Sequence, residues 1–199
     1  MERSIKLVIL DRDGVINQDR DDYVQSADQW VPIPGSLQAI GRLHSAGWRV
    51  VVASNQSGLG RGLFDMEALN AMHLKMQKEL SLVGGRIDAI FFCPHAPEDE
   101  CDCRKPKPGL FRDIAARYGL DDLQHLPVVG DSARDLEAGM QLGCCPHLVR
   151  SGKGERTLAS GKPLPDGTRV HADLAAFTDW LLLQPVPLAP APVAAVADA

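Results

Sequence analysis

Short runs of hydrophobic residues alternate along the chain with longer segments in which hydrophobic residues recur every three or four positions. The short runs, typical of buried strands, cover residues 5–10, 49–53, 87–92, 126–129 and 146–150. The longer segments, typical of helices, cover residues 36–46, 65–83, 108–118, 133–142 and 173–183. Glycine follows several of these segments, as expected at helix ends.

This alternation predicts an α/β fold in which one doubly wound parallel sheet lies between two layers of helices, a three-layer Rossmann-like arrangement. Because crossovers between parallel strands are right-handed, the loops that follow the strands lie at one edge of the sheet. The linkers 13–35 and 93–109 are too short for a separate cap domain. We expect one domain over residues 1–183 and a flexible Pro/Ala-rich extension over residues 184–199.

The composition agrees with a globular protein, since 45% of the 199 residues are hydrophobic and 24% are charged. A net charge of −5 argues against long-range attraction to nucleic acid or to an anionic membrane, so local cations have to hold an anionic ligand. No hydrophobic run has the length of a membrane span, and the first residues do not resemble a signal peptide. We expect a cytoplasmic monomer that binds neither nucleic acid nor membranes.

Polar residues cluster directly after the predicted strands. The first strand ends in DRDG (11–14), the second in SNQSG (54–58) and the fourth in GDS (130–132), while KPKP (105–108) precedes a helix. Taken singly, these segments are explained by turns, helix caps or a solvated basic loop. At one edge of a sheet, however, they bring carboxylates, a hydroxyl and an ammonium group to one place.

In this order, the four motifs resemble those of the haloacid dehalogenase (HAD) superfamily of phosphohydrolases over about residues 6–150. The resemblance implies that Asp11 is the nucleophile that forms an aspartyl-phosphate, and that Asp13 is the general acid and base. It implies that Ser54 and Lys105 hold the phosphoryl oxygens. A catalytic Mg²⁺ would be held by Asp11, Asp131 and the carbonyl of Asp13.

The acid role of Asp13 places a demand on its pKa. An exposed aspartate has a pKa of about 3.9, and a general acid near neutral pH needs a value of about 6. The neighbouring Asp11 carboxylate and the substrate phosphate both favour protonated Asp13, so we expect its pKa to be raised. Asp11 has to stay ionised instead.

A second group of metal-ligating residues follows the third strand. Cys93, His95, Cys101 and Cys103 have the spacing CxHx₅CxC. Three thiolates and one imidazole suit a tetrahedral zinc ion, and four protein ligands leave no open position, so we expect a structural Zn²⁺. The alternative, unrelated thiols beside a surface histidine, does not explain so dense a cluster. We call residues 93–103 the zinc loop.

The zinc loop and the following CRKPKPG segment resemble one HAD subgroup, the phosphatases of D-glycero-D-manno-heptose 1,7-bisphosphate and of histidinol phosphate. The subgroup implies a small phosphorylated sugar as substrate, in synthesis of the lipopolysaccharide-core heptose precursor. It implies that Arg104 contacts a second phosphate. It also implies further residues of the substrate pocket: Asp19, Arg20, Asp21, Asp22, Asn55, Gln56, Ser57 and Ser132.

Two positions depart from the subgroup pattern. Ser132 stands where a lysine is common, and residues 22–25 read DYVQ in place of GYVH. Fewer cations are then available for a second phosphate, with Arg61 and Lys107 as candidates to compensate.

We expect removal of the 7-phosphate of the heptose bisphosphate. The alternatives are a phosphatase of histidinol phosphate or of another small sugar phosphate, a nucleic-acid-binding zinc module, and a phosphatase of nucleic-acid ends. The net charge and the complete set of catalytic side chains count against the zinc module.

Overall fold

The computed structural model describes residues 5–184. Six parallel strands form one sheet in the order β3-β2-β1-β4-β5-β6. Their bounds are β1 Leu7–Leu10, β2 Arg49–Asn55, β3 Ala89–Cys93, β4 Pro127–Gly130, β5 Cys145–Val149 and β6 Arg169–His171. The predicted doubly wound parallel sheet is therefore confirmed, and β6 is an additional strand too short to leave a hydrophobic pattern.

Helices cover both faces of the sheet. They are α1 Ser36–Ser45, α2 Ser57–Gly60, α3 Met66–Leu82, α4 Gly109–Tyr118, α5 Ala133–Met140, α6 Gly154–Ala159 and α7 Leu174–Leu183, with a 3₁₀ turn at Pro97–Asp99. The sequence pattern predicts five of them and misses α2 and α6, which are too short to show a helical period. In residues 5–184, no helix has the length and hydrophobicity needed to cross a membrane.

The central strand β1 shows how the two hydrophobic layers arise. Val8 and Leu10 pack into the layer that contains α1, α3 and α7. Leu7 and Ile9 point to the opposite layer, with α4 and α5. Successive side chains of a strand face opposite sides, so a continuous hydrophobic run is what a strand buried on both faces requires.

The order of the strands places the site. Chain progression changes direction at β1, because β2 and β3 lie on one side of it and β4 to β6 on the other. Ligands of open α/β sheets bind at such a switch point, beyond the carboxyl ends of the strands. Asp11 follows β1 there, and its main-chain N–H donates to the carbonyl of Val129 in β4 at 2.9 Å.

Within the described residues, loops rather than a separate cap domain border this edge. In the described part of the chain, no helix or strand lies between β1 and α1, and only the 3₁₀ turn lies between β3 and α4. The predicted extension over residues 184–199 lies outside the described residues, apart from Gln184.

Candidate active site

Three carboxylates meet at the switch point. Asp11 follows β1, Asp131 follows β4, and Asp135 lies in the first turn of α5. One oxygen of each lies within 4.8 Å of the others, and all three residues are buried. The first two are among the residues that the sequence predicts as metal ligands. Asp135 is not among them, although its position one turn after Asp131, in the segment GDSARD (130–135), places it at the same edge.

The crowding of these carboxylates shows in their pKa values. Burial raises the pKa of Asp11 to about 6, and Lys105 offsets only part of this effect. Burial, with repulsion by Asp135 and Asp11, raises the pKa of Asp131 to about 8. Burial also disfavours the charged form of Asp135, but Lys105 and Arg134 outweigh it and lower its pKa. A hard divalent cation, which prefers oxygen ligands, would relieve this repulsion, so the three residues fit Mg²⁺.

Two glycines make room for Asp131. Gly14 and Gly152 have φ angles of +85° and +58°, which favour glycine, and a Cβ at either position would overlap Oδ2 of Asp131. The same oxygen accepts a hydrogen bond from the main-chain N–H of Lys153 at 2.8 Å. The glycine of DRDG therefore permits the backbone to approach the carboxylate closely.

Lys105 joins the carboxylates from the loop before α4. Its side chain is only 2% exposed. Its Nζ lies 3.0 Å from Oδ1 of Asp11 and 2.7 Å from Oδ1 of Asp135, and it donates to the carbonyl of Ala53 at 2.7 Å. Burial opposes the charged ammonium, but the two carboxylates outweigh this and raise the pKa of Lys105. The predicted phosphate-binding lysine thus lies beside the predicted nucleophile.

Asp13 lies in a network of donors. Its carboxylate accepts hydrogen bonds from Arg12, from Asn17 at 2.9 Å and from Gln56 at 2.9 Å. Gln56 also donates to the hydroxyl of Ser54 at 2.8 Å, which ties the predicted phosphate-binding serine into the same network.

The expected raised pKa of Asp13 is wrong for this state of the protein. Burial raises the pKa, but the Arg12 guanidinium and the hydrogen bonds from Asn17 and Gln56 outweigh burial and lower it. The residue between the two aspartates of DRDG is the reason, and sequence spacing does not show where its side chain points.

The carboxylates and Ser54 border a cavity of about 220 Å³. Of the residues predicted for the substrate pocket, Asp22 and Ser132 do not line it. Asp22 is exposed and pairs with Arg20, while Ser132 donates to Asp135 and borders a neighbouring groove. The other predicted lining residues are in place: Asp19, Arg20, Asp21, Asn55, Gln56, Ser57 and Arg104.

The structure adds cavity residues that the sequence motifs do not indicate. Arg134 lies on α5, and Lys153 lies in the loop after β5. The rule that loops after parallel strands share one edge covers Lys153, but no motif singles it out. The two predicted compensating cations lie elsewhere: Arg61 pairs with Glu98, and Lys107 donates to main-chain carbonyls of the zinc loop.

The four predicted zinc ligands meet at one point. The Sγ atoms of Cys93 and Cys103 are 3.0 Å apart, and each lies 3.6 Å from Sγ of Cys101. Nδ1 of His95 is 3.3 Å from Sγ of Cys103 and 3.6 Å from Sγ of Cys93. With zinc–sulfur bonds of about 2.3 Å, tetrahedral ligands are separated by roughly 3.8 Å, so this cluster has the size of a zinc site.

The chain is similar to known phosphatases over most of its length. Residues 102–177 match the HAD-hydrolase-like family. The D-glycero-beta-D-manno-heptose-1,7-bisphosphate 7-phosphatase of Bordetella bronchiseptica is 60% identical over 89% of this chain and 98% of the relative. The enzyme of the same name from Pseudomonas aeruginosa is 54% identical over 92% of this chain and 99% of its own length.

A solved structure agrees with these matches. The crystal structure of the D,D-heptose 1,7-bisphosphate phosphatase of B. bronchiseptica, complexed with magnesium and phosphate, is similar with a TM-score of 0.87, 60% identity and coverage of 89% of this chain and 98% of that one. The resemblance to HAD phosphohydrolases drawn from the four motifs is confirmed.

Proposed function

The chain belongs to the family of D-glycero-beta-D-manno-heptose-1,7-bisphosphate 7-phosphatases, within the HAD-like hydrolases, and we propose that it removes the 7-phosphate of that bisphosphate. It is a phosphoric monoester hydrolase, and its substrate is a phosphorylated sugar. The observation that carries the proposal is the meeting of Asp11, Lys105 and Asp131 at the edge of a cavity that arginines also line.

Asp11 is the proposed nucleophile. One of its carboxylate oxygens attacks phosphorus, the bond from phosphorus to the C7 oxygen breaks, and an aspartyl-phosphate forms. Lys105, 3.0 Å from Asp11, and the Ser54 hydroxyl bind phosphoryl oxygens while their charge is redistributed. Burial of the lysine strengthens this interaction, because little water competes for the ammonium.

Asp13 is the proposed general acid and base. It gives a proton to the departing C7 alkoxide, and it then takes a proton from the water that hydrolyses the aspartyl-phosphate. Because Arg12 lowers the pKa of Asp13 in the protein alone, protonation has to follow the arrival of substrate. The negative charge of the phosphate then acts against that of the carboxylate and raises its pKa.

Mg²⁺ is the proposed cofactor, with Asp11 and Asp131 as ligands and Asp135 as a further carboxylate of the cluster. The carboxylate of Asp13 is occupied by donors, which leaves its carbonyl as the group for the metal. When bound, the ion supplies positive charge that offsets repulsion between the phosphate and Asp11. The similar B. bronchiseptica structure contains magnesium and phosphate, which supports this cofactor.

Zn²⁺ is proposed as a structural ion of Cys93, His95, Cys101 and Cys103. Its role is to hold the loop that leads into Arg104 and Lys105. The free thiols of this cluster are compatible with a reducing compartment, and we propose that the enzyme acts in the cytoplasm, in synthesis of the lipopolysaccharide-core heptose precursor. We propose a monomer as the active unit, since the nucleophile, the phosphate-binding lysine and the carboxylates that fit Mg²⁺ are all residues of the same chain.

The test measures phosphate release from the heptose 1,7-bisphosphate, histidinol phosphate and a panel of sugar monophosphates. We expect the highest kcat/KM for the heptose bisphosphate, with removal of the 7-phosphate. Asp11→Asn abolishes turnover, whereas Asp113→Asn, on the exposed side of α4, retains it. A clear preference for histidinol phosphate would replace the proposed substrate, and full turnover by the Asp11→Asn variant would exclude Asp11 as the nucleophile.

A further inference from the structure

The walls of the active-site cavity carry four cations: Arg20, Arg104, Arg134 and Lys153. Three of them have acceptors in the protein. Arg20 and Lys153 pair with carboxylates, and Arg104 donates to a main-chain carbonyl. Within residues 5–184, Arg134 has no ion pair or hydrogen bond from its guanidinium, and its Nε is buried without a partner. Arg134 is thus the cavity cation whose donors are available to a ligand.

The position of Arg134 is not explained by the stability of its helix. It is the second residue of α5, where the positive end of the helix dipole disfavours a cation. Ser132 and Asp135 already cap this helix end without it. A buried guanidinium nitrogen without an acceptor is unfavourable, and an anionic ligand would supply the acceptor.

A basic groove extends from the cavity on the Arg134 side. The groove has a volume of about 390 Å³ and shares Arg134 and Lys153 with the cavity. Arg156 and Lys162 also line it, and no carboxylate is among the described residues that border it, although Asp19 and Asp21 pair with Lys153 and Arg156. Among the described residues, Arg134 and Lys162 therefore have no ion pair at this groove, and in a chain with a net charge of −5 they mark this side of the site as the place for an anionic group.

The reacting phosphate has other partners. Lys105 and Ser54 are the proposed partners of the reacting phosphate, and Lys105 lies 3.0 Å from Asp11, where the proposed reaction takes place. A bisphosphate carries a second phosphate away from this point. A planar guanidinium with free donors binds two oxygens of a phosphate at once, which is the interaction that a distal phosphate requires.

We propose that Arg134 binds the phosphate of the substrate that is not hydrolysed, at the border between the cavity and the basic groove. The inference rests on the proposed function and adds a residue that determines the preference for a bisphosphate. Arg134 takes the role that Ser132, with its hydroxyl engaged by Asp135, cannot take. The ligand class is a sugar phosphate whose second phosphate lies at the far end from the reacting carbon.

The test compares wild type, Arg134→Met, Arg134→Lys and Arg104→Met, with Arg117→Met at the exposed end of α4 as the control. For each protein, kcat/KM is measured on the heptose 1,7-bisphosphate and on p-nitrophenyl phosphate, which lacks a second phosphate. We expect Arg134→Met to lower the ratio of the two values about 10- to 100-fold, mainly through KM of the bisphosphate. Arg134→Lys keeps the positive charge but lacks the planar guanidinium, so its ratio of kcat/KM values should lie between those of wild type and Arg134→Met. Arg117→Met should have the wild-type ratio.

A second measurement uses the product that retains the distal phosphate. The inhibition constant of the heptose 1-phosphate rises by a similar factor in Arg134→Met, and circular dichroism checks that the variant is folded. If Arg134→Met does not fold, Arg134→Lys is used in its place. A lower ratio of kcat/KM values and a higher inhibition constant of the heptose 1-phosphate than in wild type then support the inference, and wild-type values refute it.

The failures are distinguishable. Wild type without a preference for the bisphosphate refutes the proposed function and the inference together. If wild type prefers the bisphosphate, two outcomes refute the inference alone. Arg134→Met has the wild-type ratio of kcat/KM values, which includes the case in which both values fall equally. Alternatively, the ratio falls only in Arg104→Met.

Discussion

Asn55 and Lys105 hold each other by two hydrogen bonds across fifty residues of sequence. The Asn55 side chain donates to the carbonyl of Lys105 and accepts from its main-chain N–H, each at 3.1 Å. Asn55 ends β2, so the amide fixes the phosphate-binding lysine to the sheet rather than leaving it on a loop. A further amide, that of Gln141, donates to the carbonyl of the next residue, Pro106, at 2.8 Å from the outer side of this loop.

Replacing Asn55 should therefore affect Lys105. In Asn55→Ala, the backbone N–H and carbonyl of Lys105 lose their partners, and the ammonium shifts relative to Asp11. A shift of about 1 Å in a reacting group reduces a rate by roughly 100-fold, so we expect kcat/KM to fall by about 10- to 100-fold. Gln141→Ala removes the outer amide and retains activity. Equal losses in the two variants would refute the positioning role of Asn55.

The buried pair of Arg12 and Asp13 should matter for stability. Their side chains are 1% and 21% exposed and lie 2.9 Å apart. In Arg12→Met, the Asp13 carboxylate loses its cation, and the free energy of unfolding falls by about 3 kcal/mol. The exposed pair of Arg42 and Asp179 provides the matched control, since Arg42→Met should cost about 0.5 kcal/mol or less. Urea unfolding of both variants measures the difference, and similar losses would contradict this account.

The thiol cluster should bind one zinc per chain. We expect Cys103→Ser to lose the metal and to lower Tm by roughly 5–10 °C, which corresponds to about 2–3 kcal/mol for a domain of this size. Activity falls with it, because Lys105 follows two residues later. Cys145→Ser, outside the cluster, keeps the metal. Elemental analysis of fresh protein checks the stoichiometry, and wild type without zinc would end the proposal of a structural ion.

A pair of histidines between β5, β6 and α7 predicts a pH dependence of stability. Nδ1 of His147 lies 3.0 Å from Nε2 of His171, and both rings pack against Phe177 and Trp180. Burial, with repulsion by His171 and Arg169, lowers the pKa of His147 to about 3. Burial and Arg169 also lower the pKa of His171.

The sign follows from proton binding. Between the unfolded value of about 6.5 and the folded value of about 3, unfolded His147 binds a proton that folded His147 does not, so stability falls as the pH falls. At pH 5 the loss is about 2 kcal/mol relative to pH 7. His147→Phe should remove most of it, whereas His44→Gln, at an exposed position, should not. Asp11 and Asp131 have raised pKa values, so their contribution to stability increases as the pH falls. The effect of His147 is therefore taken from the difference in unfolding free energy between His147→Phe and wild type. Urea unfolding at pH 5–7 measures the free energy of unfolding of both proteins. An equal dependence of this free energy on pH in His147→Phe and wild type would contradict the prediction.

The sequence by itself determined the layered architecture and the composition of the site. Continuous hydrophobic runs such as 50–53 are typical of a strand buried on both faces, and parallel strands place Asp11 and Asp131 at one edge whatever the details of the loops. The spacing of Cys93, His95, Cys101 and Cys103 is likewise local, so their meeting needs little tertiary information.

Only the tertiary structure decided how the charges pair. The direction of the Asp13 pKa depends on where the Arg12 side chain turns, and the roles of Asn55 and Lys153 depend on loops far apart in sequence. The same holds for Arg134. Only the structure shows that Arg20, Arg104 and Lys153 have acceptors in the protein, whereas the guanidinium of Arg134 has none among the described residues. Hydrophobic periodicity records which face of an element is buried, but hydrogen bonds and ion pairs act over a few ångströms, and the folded chain alone establishes those distances.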